Sequence, residues 1–226
     1  MKRVCVVCEG QTEETFVRDV LAPGFVSIGL LLIGETIQTS LGHRGGALNY
    51  DRVRRHLRNT LRQNSAPFVT TLFDLYRLDS RFPGSSDSTE QSTLAGRLQT
   101  LRSAFHEDIV QHAECRPERF IPHIQPHEFE ALLFSDVTIL VSIEERWTSA
   151  LTRLLAIRAA AETPEHINDN PDTKPARHLE RELRNPRYRK TLHGPIAAKR
   201  IGVQVIEEEC HFFAGWIEKL RALENS

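Results

Sequence analysis

Apolar residues come in short dense runs through the first half of the chain and at helical intervals through the second. Residues 3–8, RVCVVC, are apolar at successive positions, the pattern of a strand covered on both faces of a parallel sheet. Gly10 permits a sharp turn. Thr12 then suits the N-cap of a helix from Glu13, with Phe16, Val17, Val20 and Leu21 on its buried side, and Pro23-Gly24 is expected to stop it. A second apolar segment, 28–39, predicts a strand, and GHRGG at 42–46 a loop. Over 48–63, Val53, Leu57 and Leu61 recur at helical spacing, which places Arg54, Arg55, Arg58 and Arg62 on the opposite face. FVTTLF at 68–73 predicts a third strand that runs straight into Asp74. A polar loop over 78–93, a helix over 94–112 and a fourth strand, RFIPHI at 119–124, follow. Pro126 suits the first position of a helix continuing as HEFEALLF.

Strand and helix therefore alternate over residues 1–135, which predicts an α/β domain with a mostly parallel sheet flanked by helices. Beyond 136 no strong strand pattern occurs. Residues 144–161 and 203–223 have helical spacing, INDNPDTKP at 167–175 reads as a loop, and Gly194-Pro195 as a turn and helix start. Residues 136–226 are expected to form an α-helical C-terminal appendage packed on the sheet domain.

Composition narrows the class. The chain has 226 residues, 40% of them hydrophobic and 26% charged, ordinary for a protein that buries a core. The formal charge of −1 does not announce a nucleic-acid binder, so the distribution of charge matters more than its sum. Val4 to Cys8 is too short for a signal-peptide core and IGLLLIG at 28–34 too short to span a bilayer, so a cytoplasmic protein without a membrane partner is expected. Cys5 and Cys8 form a C-x-x-C. Within a strand an odd spacing points them to opposite faces, which favours two buried thiols over a zinc site.

Acids stand where the predicted strands end. Glu9 follows the first, with Glu13 a helical turn on; Asp74 follows the third, with Asp79 after a short excursion; the fourth leads into His127, Glu128 and Glu130. In parallel α/β sheets sites gather beyond the carboxyl ends of the strands. Carboxylates that share a rim repel unless a cation lies between them, and Mg2+ or Mn2+ prefers such oxygen ligands. A helix N-terminus also favours Glu13 and Glu14 through its dipole alone, whereas Glu9 has no comparable structural task.

CEGQTEETF, TLFDLY and IQPHEFEALLF together resemble the Toprim-like proteins, the topoisomerase–primase fold shared by overcoming-lysogenization-defect nucleases. With INDNPDTKP and LHGPIAAKRIGV, nearly the whole chain is similar to a small bacterial Toprim-related family of unknown function whose genes often sit beside an ABC-type ATPase. The resemblance implies a divalent metal for phosphodiester chemistry. It puts Glu9 in the role of the glutamate after the first strand, with Glu13 as companion, and Asp74 as the first acid of a D-x-D. The second acid of that motif is replaced by Tyr76, and Asp79, Glu128 and Glu130 remain alternatives for the missing oxygen.

Two basic stretches complete the picture. The arginine face at 54–62 is one. The segment from Lys174 to Lys190, which includes Arg187 and holds seven Lys or Arg against two Glu, is the other, extended by Lys199 and Arg200. Basic faces keep helices solvated, and they also contact phosphates. Lys190 or His193 is placed to balance charge on phosphate oxygens, and His127 reads as a proton shuttle, a metal ligand or a surface residue. The expectation is a Mg2+- or Mn2+-dependent nuclease acting on DNA or RNA. In it Glu9 and Asp74 are ligands, Glu13 and Glu128 are secondary ligands or base positioners, and an ATPase partner in phage or plasmid defence is implied by the resemblance. The alternative is a degenerate Toprim module that binds and regulates that ATPase.

Overall fold

Parallel strands form the middle layer. The computed structural model describes residues 1–37, 48–167 and 173–225. Its strands are β1 (Lys2–Cys8), β2 (Leu30–Thr36), β3 (Phe68–Asp74), β4 (Phe120–Ile121) and β5 (Ile124–Gln125). Their order is β2-β1-β3-β4, with β5 also against β3, and every pairing is parallel. RFIPHI makes two short strands because Pro122, between them, has no N–H to give the ladder. Thr71 bridges the break: its hydroxyl donates to the His123 carbonyl at 2.7 Å and accepts from the His123 N–H at 3.0 Å.

Helices cover both faces. Val4, Val6 and Cys8 point into a core shared with Phe16, Leu21 and the C-terminal helices, whereas Cys5 and Val7 point into a second core with Val53, Leu57, Phe105 and Ile109. The two thiols thus lie on opposite sides of the sheet, as the odd spacing predicts. Burial raises the pKa of both, that of Cys5 to about 11.

The prolines depart from expectation. The helix Gln11–Phe16 begins one residue after Gly10, so Thr12 lies inside it, buried, and does not cap it. Pro23 does not end the helical run. A π-helical turn, Val17–Leu21, is followed by a fresh helix, Ala22–Val26, in whose first turn the missing proline N–H is not needed. Pro126 precedes an extended Glu128, and a 3-10 helix, Phe129–Asp136, starts only after it. Pro195 lies inside the helix Lys190–Ile201, which starts four residues before the Gly-Pro turn expected there. The polar loop 78–93 includes a short helix, Ser85–Thr89. The GHRGG loop, residues 38–39 of the second apolar segment, and residues 168–172 of INDNPDTKP lie outside the described residues.

The described residues from 136 onward share the core on one face of the sheet. Trp147, Leu179, Ala197, Phe213 and Trp216 belong to the cluster that holds Val4 and Val6. Trp216 donates from Nε1 to Thr70 Oγ1 at 2.8 Å and stacks on His123. Buried Glu165 accepts from the N–H groups of Phe212 and Phe213, at 2.7 and 3.0 Å, and from Gln125 Nε2 of β5 at 3.2 Å, tying the helix His211–Arg221 to the sheet. Among the described residues, no helix is long and apolar enough to cross a membrane.

Candidate functional site

The connection after β1 packs on one face of the sheet and the helix Leu94–Ala113, after β3, on the other. Adjacent strands whose connections diverge in this way leave a crevice at their carboxyl ends. Cys8 aligns with Leu72 in the β1–β3 register, so Glu9 and Asp74 stand one residue apart at the mouth of that crevice. The Asp74 N–H donates to Glu9 Oε1 at 2.7 Å, and the Phe129 N–H donates to Asp74 Oδ1 at 2.9 Å.

Lys190 closes the crevice. Its Nζ lies 3.1 Å from Glu13 Oε1, 3.1 Å from Glu130 Oε2 and 3.5 Å from Asp74 Oδ2. Gly194, one turn along the same helix, makes this reach possible. A Cβ there would meet Phe129 Cε1 at 3.2 Å and Thr12 Cγ2 at 3.3 Å, so any larger residue would push these neighbours back by a few tenths of an ångström. Arg77 Nε lies 3.8 Å from Glu9 Oε2. Four carboxylates, Glu9, Glu13, Asp74 and Glu130, thus face two cations, a formal surplus of two negative charges.

The electrostatics record that surplus. Burial, then the neighbouring Asp74 and Glu13 charges, hold Glu9 well above the ordinary carboxylate range. Burial also raises Asp74, to about 7, although Lys190 works against it. Glu130 is raised by the same cause. Burial would lower Lys190, but Glu130, Asp74 and Glu13 outweigh it and hold the ammonium well above its usual value. Two groups are left over. Glu130, wholly buried, meets Lys190 as an ion pair without a well-directed hydrogen bond, and its Oε1 has no partner among the described residues. The buried Tyr188 hydroxyl likewise has none, and it lies within the field of Glu130 and Lys190. Buried polar groups without a protein partner pair with ordered water, an ion or a ligand.

Hard oxygen donors and surplus negative charge suit Mg2+ or Mn2+. Among the described residues no three side chains form a ready metal cage; the Lys190 ammonium stands in the midst of three of the carboxylates. Together with Glu9, those carboxylates have the chemistry to hold a divalent ion.

The other expected residues separate. Asp79 turns away, its Oδ2 accepting from the Tyr50 N–H at 3.3 Å and pairing with Arg81 at 3.1 Å. Glu128 pairs with Lys174 and accepts from the Ala176 N–H at 3.2 Å, and so anchors the start of the helix Pro175–Glu182. Lys174 also lies over the Tyr76 ring. His127, at φ +57°, packs its ring against Tyr76. His193 Nδ1 accepts from the Arg189 N–H at 2.8 Å while the ring packs on Trp147, a structural position.

The arginine face lies elsewhere. Arg54 pairs with Asp108 and Arg62 with Glu114, on or just past the helix Leu94–Ala113. Arg58 is half-buried and Arg55 exposed. The helix Tyr50–Leu61 runs down the sheet towards Pro67 and the start of β3, the end opposite Asp74. Arg187 lines a surface groove with Arg177, Arg181 and Arg184, and Lys199 is exposed more than two turns beyond Lys190. Arg77 and Tyr188 escaped the sequence reading, and Gly194 was read only as part of a turn. A basic residue after a strand, a tyrosine in a basic stretch and a Gly-Pro pair carry no local signal for this chemistry.

Residues 8–221 match the model of a protein family described as a domain of unknown function, DUF4276. The chain belongs to the DUF4276 family. The match takes in every acid of the cluster and Lys190. No curated protein and no solved structure matches this DUF4276 chain.

Proposed function

We propose that the protein is a Toprim-like, Mg2+- or Mn2+-dependent nuclease that cleaves phosphodiester bonds of DNA or RNA. The observation that carries this reading is the meeting of Glu9, Glu13, Asp74 and Glu130, from separate segments, at one strand-end crevice with negative charge to spare. Glu9, Asp74 and Glu130 would hold the metal, with Glu13 beside them. Held there, such an ion would supply charge neutralisation at a phosphate and activation of water. Lys190, released from the carboxylates, offers its ammonium to a phosphate oxygen, and the Tyr188 hydroxyl offers a donor in the same crevice. An ABC-type ATPase partner, and a role in phage or plasmid defence, rest on the resemblance alone.

The test is cleavage of supercoiled DNA and structured RNA in Mn2+ by wild type, Glu9→Ala and Asp74→Ala. Wild type is expected to cut and both variants to lose at least a hundredfold. Equal cutting by all three assigns the activity to something other than this crevice.

One observation favours a second reading. Lys190 already balances part of the cluster, and Tyr76 stands where the motif would have a second acid, as in a module that docks on an ATPase without catalysis. Titration calorimetry separates the two: no heat of Mg2+ or Mn2+ binding at millimolar metal selects the docking module.

A further inference from the structure

The segment joining Lys174 to Lys190 is anchored beside the acidic crevice at one end and within it at the other. Lys174 and the Ala176 N–H hold Glu128, two residues from Glu130, and Lys190 sits among the carboxylates. Between these anchors Arg177, Arg181, Arg184 and Arg187, with Glu180, line a groove of about 450 Å³. Two local geometries bring the guanidinium groups together. Arg177 and Arg181 are four residues apart, on one face of the helix Pro175–Glu182, and Arg184, just past its end, lines the same groove. Arg184 and Arg187 form an antiparallel bridge, which sets their side chains on one face.

The charge there is only partly balanced. Arg177 pairs with Glu180 at 3.0 Å and Arg181 with Glu182 at 2.8 Å. Glu182 is shared with Arg153. Among the described residues no carboxylate pairs with Arg184 or Arg187; Arg184 donates from Nε to the Arg181 carbonyl at 2.6 Å. Like charges held side by side without counter-ions repel, and an anion relieves that repulsion. Arg187 precedes Lys190 by three residues, so their Cα atoms are at most about 11 Å apart. At ~3.4 Å per nucleotide step, that spans roughly three steps of a strand.

We infer that this arginine groove is the substrate's backbone track: it holds the phosphates of a nucleic-acid strand a few nucleotides from the bond positioned at Lys190. The inference rests on the nuclease reading for what lies in the crevice. It assigns strand binding to 177–187 and not to the arginine face at 54–62, which lies towards the other end of the sheet.

The experiment measures binding without cleavage. Fluorescence anisotropy in EDTA follows a labelled single strand of about 20 nucleotides with wild type, R184Q/R187Q and, as a charge-matched control, R116Q/R146Q at exposed arginines outside the groove. The expected result is at least tenfold weaker binding for R184Q/R187Q at low salt, with the slope of log affinity against log salt shallower by about 1.4, for two lost phosphate contacts. The control keeps the wild-type slope, and thermal melting confirms that all three are folded. Unchanged affinity and slope in R184Q/R187Q, absence of wild-type binding, or displacement of the strand by equimolar pyrophosphate each overturns the inference. A wild type that binds through these arginines but never cuts leaves the groove standing and removes the nuclease reading. One that cuts normally after R184Q/R187Q does the reverse.

Discussion

Lys190→Met removes one charge from the middle of the carboxylate cluster while keeping most of the side-chain volume. At an effective dielectric of ~20, a unit pair at the 3.1 Å separation from Glu13 or Glu130 is worth about 5 kcal/mol before desolvation. Most of that is offset by the cost of drying the groups. Deleting one partner of a buried pair costs a net ~3–5 kcal/mol, because the partners stay behind uncompensated. The lysine side chain is 34% exposed, which argues for the lower end, about 3 kcal/mol. In a chain of this size that is a fall in Tm of roughly 6–12 °C. The loss should grow with pH. Without the ammonium Glu9, Asp74 and Glu130 rise further above their unfolded values, so the folded variant holds protons that the unfolded chain gives up, and its stability falls as pH rises. The assay is thermal melting of wild type and variant in EDTA from pH 5 to pH 8. A drop under 2 °C at pH 8, or an equal drop at both ends of the range, refutes the ammonium as the cluster's counter-charge.

Three further outcomes follow from the same geometry. Asp74, raised to about 7 in the folded protein against ~3.9 unfolded, makes wild type less stable as pH rises through that window, and Glu165, also raised to about 7 by burial, acts in the same sense. Millimolar Mn2+ is expected to offset that fall in Tm at pH 7.5 and to do little at pH 5, where protons compete for the same oxygens; a Tm insensitive to Mn2+ at both values argues against a divalent site. Gly194→Val forces methyl groups against Phe129 and Thr12, for a loss of about 2 kcal/mol read as a lower denaturation midpoint at unchanged slope, and wild-type stability would show that the close helix approach is not required.

Much of the sheet domain could be read along the chain because its signals are local. Successive apolar residues at 4–8 and 68–73 bury both faces of a strand, and the parity of the strand repeat separates Cys5 from Cys8 without any knowledge of the fold. Glu9 and Asp74 were legible as strand-end acids for the same reason. The prolines at 23, 126 and 195 misled because a missing N–H matters only where a hydrogen bond would form, and that depends on where each helix starts. Helical spacing put the arginines of 54–62 on one face, but packing turned that face towards the helix Leu94–Ala113 and ran it away from the acids. Which acids meet was a matter of distant contacts. Glu130 enters the crevice and Asp79 leaves it, and Lys190 arrives over a hundred residues after Asp74 because Gly194 lets its helix close on Thr12 and Phe129. Periodicity is set by backbone geometry within a few residues; the convergence of charges is set by which surfaces can be buried together, and no short stretch of chain encodes that.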